Sequence, residues 1–176
     1  MKALLASMAV LSATLLAASP ASAQMFSEPQ ATLGYQVLRI PDETFPLGLN
    51  VDVSGRMKSG WTAVGEFGWS KDDQDDPAVT GSLKFLHFGG GPRWTFPGVK
   101  VRPFAQVLAG GVHTDADTNL TNDSDNAFML QPGIGVVVPV ATGWGVLGQV
   151  DYRRVFFKEQ GDNEWRAVFG VRVGLR

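Results

Sequence analysis

The strongest constraint in this sequence is a two-residue period. In residues 163–176, NEWRAVFGVRVGLR, Trp165, Ala167, Phe169, Val171, Val173 and Leu175 fall on one face. Glu164, Arg166, Gly170, Arg172, Gly174 and Arg176 fall on the other, together with Val168. Successive side chains of a strand point to opposite sides, so this is a strand with one apolar face. The pattern recurs with Leu47, Leu49, Val51 and Val53 against Gly48, Asn50, Asp52 and Ser54. It recurs again with Trp61, Ala63, Phe67 and Trp69 against Thr62, Glu66, Gly68 and Ser70. Val146, Val150, Tyr152 and Phe156 oppose Gln149, Asp151 and Arg153 in the same way. No segment after residue 30 needs helical spacing. Turn signals divide this part into eight predicted strands at 31–40, 46–55, 60–71, 79–96, 100–113, 126–140, 145–157 and 163–175. The 79–96 strand contains Gly89-Gly90-Gly91-Pro92, where a bulge or sharp bend is expected.

The connections alternate as strictly as the side chains. Those after the second, fourth and sixth strands are short: 56–59, 97–99 and 141–144. Those after the first, third, fifth and seventh are polar and mostly longer: PDETF at 41–45, DDQDDPA at 72–78, TDADTNLTNDSD at 114–125 and KEQGDN at 158–163. In an up-and-down antiparallel barrel every second connection lies at the same end, so one rim is tight and the other long. An even strand number puts both termini at the tight rim. Bacterial outer-membrane barrels have this asymmetry, with short periplasmic turns and longer external loops.

The first 23 residues read as an address. Lys2 supplies the positive start, Ala3 to Ala18 an apolar stretch, and Ala21-Ser22-Ala23 a cleavage signal. The expected organisation is a signal peptide at 1–23, a short lead at 24–30 and a barrel at 31–176. The signal peptide carries one charged side chain, so the mature chain is one unit more acidic than the formal −2 of the whole. That balance argues against a nucleic-acid partner. The chain has no cysteine, which excludes disulfides and thiolate metal sites.

Alternation alone does not choose which face meets which solvent: a membrane barrel inverts the arrangement of a soluble one. The placement of tryptophan chooses. Trp61, Trp94, Trp144 and Phe96 fall near the predicted short turns, and Trp69, Trp165, Phe128 and Phe156 toward the long connections. Two belts of amphipathic rings are the membrane expectation. The opposite face carries Asp52, Glu66, His87, Arg93, Arg102, Gln106, Gln131, Gln149, Asp151, Arg153, Arg166 and Arg172. Eight strands leave an interior just wide enough for side chains to fill. Unpaired buried charges are costly, so a plugged lumen is expected, with Glu66 and Asp151 bridged by Arg102 and Arg153. The competing reading is a soluble periplasmic barrel that holds a small apolar ligand inside.

The runs FGGGPRWTF (88–96), VRPFAQVLAGG (101–111), GIGVVVPV (133–140), QVDYRRVFF (149–157) and FGVRVG (169–174) carry a family likeness. Together they make the chain resemble the small eight-stranded outer-membrane β-barrel domains, the OmpA-like barrels. The likeness implies an all-β, eight-stranded, antiparallel transmembrane barrel in the outer membrane of a Gram-negative-type bacterium. It implies contact with outer-membrane lipid and lipopolysaccharide, and insertion by the barrel-assembly machinery. It implies no reaction and no cofactor. Many such barrels end in an aromatic residue, where this sequence has Gly174-Leu175-Arg176.

Candidate chemistry is sparse. The chain has two histidines, His87 and His113, and neither has another histidine nearby to make a metal pair. Barrels that hydrolyse lipid A use a histidine and a serine near the external rim; Thr114 follows His113 and no serine lies two residues away. Asp115-Ala116-Asp117-Thr118-Asn119-Leu120 begins like a calcium loop, but its sixth position is Leu120 instead of glycine and its twelfth is Asn126 instead of glutamate. No enzyme and no metal site are therefore expected. Charge placement says more. Asp42, Glu43, Asp72, Asp73, Asp75, Asp76, Asp115, Asp117, Asp123, Asp125, Glu159 and Asp162 lie in or beside the long connections. Arg56, Lys58, Arg93, Lys100, Arg102, Arg172 and Arg176 lie toward the short-turn end. The expected role is structural or surface-interacting, with acidic external loops that share divalent cations with lipopolysaccharide phosphates.

Overall fold

The computed structural model describes residues 27–40, 44–57, 59–76, 79–97, 100–118, 122–156 and 161–175. The signal peptide expected at 1–23 lies outside the described residues. The elements run β1 (Ser27–Arg39), β2 (Thr44–Phe45), β3 (Leu47–Arg56), β4 (Trp61–Asp76), β5 (Val79–Thr95), β6 (Arg102–Thr118), β7 (Asn122–Ala141), β8 (Trp144–Phe156) and β9 (Gly161–Gly174). Each long strand pairs antiparallel with its sequence neighbour, and β1 also pairs with β9 from Gln30↔Gly174 to Arg39↔Trp165. The eight long strands therefore close into an up-and-down barrel, and β2 is a two-residue addition on the upper part of β1. Closure leaves no open edge, as a sheet surrounded by hydrocarbon requires.

The short turns follow from local backbone chemistry. Between β3 and β4, Ser59 and Gly60 both take positive φ, 54° and 84°, as a tight hairpin demands. Between β7 and β8, Gly143 has φ 79°, and its carbonyl accepts a hydrogen bond from the Gly174 N–H at 2.8 Å.

Three expectations are corrected. The strands run further than the polar composition suggested: β4 and β5 stay paired to Asp76↔Val79, and β6 and β7 to Asp117↔Asn122. Much of 72–78 and 114–125 is thus hairpin stem, because antiparallel pairing continues wherever both backbones remain extended. β1 begins at Ser27, so part of the segment expected as a lead is strand. The bulge expected at Gly89–Pro92 is absent. β5 keeps one register with β4 throughout and resumes the same register with β6 at Arg93↔Gln106 after Gly90↔Ala109. Gly91 lets the backbones come close instead, since a Cβ there would sit 2.1 Å from the Val107 carbonyl oxygen. The register shifts occur between Ser27 and Gln30 and between Pro139 and Ala141, both at the short-turn end.

Burial alternates along the strands with the period of the sequence. β8 reads exposed, buried, exposed, buried from Trp144 onward, and β3 does the same from Leu47. The exposed side chains are the apolar ones: Leu33 is 59% exposed, Ile134 68% and Phe169 63%. The buried ones include Asp151 and Arg153 at 0%. In the middle of the strands the interior is polar and the exterior apolar, the inverse of a soluble fold.

Candidate functional site

All eight long strands send polar side chains into the interior, and these connect into one chain. Its centre is Arg166 on β9. The Arg166 Nη2 donates to Asp151 Oδ2 on β8 at 2.6 Å and to Glu66 Oε2 on β4 at 2.8 Å, and Nε donates to the same Asp151 oxygen at 2.9 Å. Arg166 Nη1 lies 2.8 Å from Glu66 Oε1, donates to Gln36 Oε1 at 3.2 Å and meets His87 Nε2 at 2.9 Å. A guanidinium only donates, so in this contact His87 Nε2 is the acceptor. The same Nε2 lies 3.4 Å from Glu66 Oε1.

From this centre the chain runs both ways. Toward the long hairpins, Gln131 Nε2 donates to Glu66 at 3.1 Å, Arg153 Nε donates to Gln131 at 2.9 Å, and Arg153 Nη1 donates to Glu164 at 3.2 Å. Toward the short turns, Gln149 and Gln106 donate to Asp151 at 2.8 and 3.3 Å, and Arg93 Nε donates to Gln106 at 2.8 Å. Arg93 then reaches Asp52 at 3.4 Å, and Arg172 reaches the same carboxylate oxygen at 3.8 Å. Room for these side chains comes from glycine. A Cβ on Gly68 would lie 2.2 Å from the His87 ring, and one on Gly133 would lie 1.8 Å from Asp151 Oδ1.

Of the twelve residues expected inside, the structure buries Asp52, Glu66, His87, Arg93, Gln106, Gln131, Gln149, Asp151, Arg153 and Arg166, and half-buries Arg172. Arg102 is the correction: it shares the inward phase but begins β6 at the mouth of the barrel, where it is exposed. The expected bridges also differ. Arg166 alone spans Glu66 and Asp151, while Arg153 pairs with Glu164. Glu164 and Gln36 join the network without having been singled out. Glu164 falls on the polar face of the last predicted strand but, directly after the polar 158–163 segment, is not counted among the expected interior residues, and Gln36 shares its inward phase with apolar Leu38.

Above the network the interior changes character. Leu38, Phe45, Phe85, Val112, Ala127, Met129 and Val155 form one buried cluster, with Phe45 and Phe85 edge to face at 4.9 Å. The predicted connection 41–45 thus supplies a core residue.

The aromatic residues expected as belts form two groups, one at the short-turn end and one mostly part-way along the strands, before the long hairpin stems. Trp61 and Trp94 pair across β4 and β5 with rings 5.0 Å apart, and Phe96 and Trp144 stand at the same short-turn end. Trp94 is half-buried, the other three exposed. Trp69, Trp165, Phe128 and Phe156 are exposed toward the long hairpins, with Phe128 and Phe156 5.9 Å apart. At that rim both nitrogens of His113 are engaged, Nδ1 with Asn126 Oδ1 at 2.9 Å and Nε2 with Asp115 Oδ1 at 3.1 Å. No group of metal-ligating side chains occurs among the described residues.

The sequence pattern of the outer membrane protein beta-barrel domain matches residues 8–176. No curated protein sequence matches the chain. Among solved structures it is similar to Neisserial surface protein A, at 13% identity, with a TM-score of 0.65, over 84% of this chain and 96% of that one. It is also similar to the outer membrane protein OprG of Pseudomonas aeruginosa, at 8% identity and a TM-score of 0.62, over 86% of this chain and 97% of that one. The attachment invasion locus protein Ail of Yersinia pestis matches at 13% identity and a TM-score of 0.54, over 82% of this chain and 96% of that one.

Proposed function

The chain belongs to the outer membrane protein beta-barrel domain family, and from that premise we propose that it is a structural, surface-facing barrel of a bacterial outer membrane whose lumen is plugged. The observation that carries this reading is the inversion of the strands. Apolar side chains such as Ile134, Phe169 and Leu33 are turned outward, while Arg166, Asp151 and Glu66 close on one another within. An outward apolar face has no use in water and a direct use against acyl chains. The ion pairs of Arg166 with Glu66 on β4 and Asp151 on β8 cross the lumen and support a plug against free diffusion. The soluble barrel with an apolar ligand needs the opposite arrangement along most of its length.

In this reading the outer face contacts outer-membrane lipid, the aromatic belts sit at the two interfaces, and the barrel-assembly machinery inserts the chain. The acidic long hairpins share divalent cations with lipopolysaccharide phosphates, and the chain performs no catalysis. Fractionation and gel migration test the core of it. The protein is expected in the outer-membrane fraction, to need detergent for extraction, and to migrate differently before and after boiling. Recovery in the soluble periplasmic fraction would overturn the reading. In planar bilayers the folded barrel is expected to show no steady conductance, and a steady open channel would refute the plugged lumen. Chelation of divalent ions is expected to weaken lipopolysaccharide association; unchanged association removes the cation bridge.

A further inference from the structure

At the short-turn end the interior opens into a cavity of about 770 Å³. Its charged lining residues are Arg56, Arg93, Arg102 and Arg172, and among the described residues no aspartate or glutamate lines it. Arg56 is answered at the rim by Glu28 at 3.0 Å. The two deeper guanidiniums share one carboxylate. Asp52 Oδ2 lies 3.4 Å from Arg93 and 3.8 Å from Arg172, beyond the roughly 2.7–2.9 Å of a tight charge-assisted bond. Arg166, by contrast, holds its two carboxylates at 2.6 and 2.8 Å. Arg93 is 1% exposed, yet its Nη1 makes no hydrogen bond, and neither does Arg172 Nη2. The Phe104 ring lies 4.6 Å from the Arg93 guanidinium carbon and 5.9 Å from that of Arg172, so it backs both cations.

The imbalance is local. The central and upper network sets Arg153 and Arg166 against Glu66, Asp151 and Glu164; the lower layer sets Arg93 and Arg172 against Asp52 alone. A buried guanidinium with free donors is costly unless an acceptor reaches it. The chemistry that supplies several acceptors with negative charge is an oxyanion, and the planar fork of arginine fits a phosphoryl group.

We propose that this cavity is an oxyanion-binding site, taking a phosphoryl group between Arg93 and Arg172, with Arg102 at its mouth. The group comes either on a small soluble molecule or on a lipid headgroup at the short-turn rim, and the chemistry of recognition is the same. The proposal goes beyond the structural role above and does not depend on which compartment the cavity faces. Trp94 and Trp144 line the cavity, so its occupancy has an intrinsic reporter.

The test uses the full barrel refolded in dodecyl maltoside micelles, which carry no charge. Sodium pyrophosphate is titrated against sodium chloride at equal ionic strength, and tryptophan emission and thermal unfolding are followed. Pyrophosphate is expected to give a saturable emission change and a rise in melting temperature that chloride does not reproduce. Arg172→Gln is expected to weaken the affinity at least tenfold. Arg102→Gln, at an exposed position that leaves the fold undisturbed, is expected to weaken it several-fold. Arg154→Gln, at the far end, is expected to leave it unchanged. Repeating the titration in phosphatidylcholine vesicles with and without phosphatidylglycerol separates the sources. Loss of the pyrophosphate response in phosphatidylglycerol assigns the site to a headgroup, and retention assigns it to a soluble phosphate. Equal responses to pyrophosphate and chloride, or wild-type affinity in both Arg172→Gln and Arg102→Gln, would overturn the proposal.

Discussion

The middle of the barrel and its long-hairpin end are built from the same strands by opposite rules. In the middle, Glu66, His87, Asp151 and Arg166 point inward while Phe67, Phe88, Val150 and Phe169 point outward. Toward the long hairpins the inward positions become Phe85, Val112, Ala127 and Val155. Over the same stretch the outward phase passes from Leu86 to Lys84, from Trp69 to Lys71, from Val37 to Arg39 and from Phe128 to Asn126. One alternation thus encodes a membrane protein along part of each strand and a water-soluble one along the rest. Under the proposed function the crossover is the height at which acyl chains give way to water, and Trp69, Trp165 and Phe128 stand beside it. The difference teaches that inside and outside are defined by solvent at each height, not by the fold.

The largest expected effect breaks the polar half. Arg166→Met leaves Glu66 and Asp151 buried without their cation and is expected to cost about 4 kcal/mol in urea unfolding of the refolded barrel. A cost below that of an ordinary surface substitution would show that the polar interior is wet. Met129→Ala attacks the apolar half, where Met129 is 0% exposed, and is expected to cost about 3 kcal/mol with no dependence on salt. Gly133→Ala sharpens the contrast from the backbone side. It pushes Asp151 away from Gln106 and Gln149 and is expected to cost about 2 kcal/mol in the same assay. Trp61→Ala, at the far interface, removes an edge-to-face pair with Trp94 and is expected to cost about 1 kcal/mol, more in lipid bilayers than in micelles.

Most of the architecture is legible in the sequence, because a period of two and connections of alternating length are one-dimensional facts. The strand count, the closure and the outward position of Trp61, Trp144 and Trp165 follow from them. The partners inside do not. Arg166 and Glu66 lie on strands that meet only across the barrel, and nothing in either neighbourhood tells that Arg166 instead of Arg102 spans them. The apolar cluster is hidden for a related reason. Phe45 sits in a segment with Pro41, Asp42 and Glu43, whose composition reads as solvated connection. The change from polar to apolar interior along one strand is also invisible to an alternation that keeps the same phase. The long stems of β4–β7 are missed because acidic residues disfavour strands only mildly when the opposite backbone is already in register.

The route of the interior hydrogen-bond chain also governs timing. Arg166 on the last strand holds Glu66 on the fourth, and Arg172 on the last strand donates to Thr32 on the first at 3.2 Å. None of these contacts exists in a chain whose first and last strands have yet to meet. A half-zipped sheet can already form the neighbour-strand pairs Arg166–Asp151 and Arg153–Glu164, but the bonds from β9 to Glu66 and to Thr32 arrive only when the seam shuts. The cylinder is thus expected to act as a latch, slow to spring open once fastened, and unfolding and refolding followed under denaturant should trace different paths.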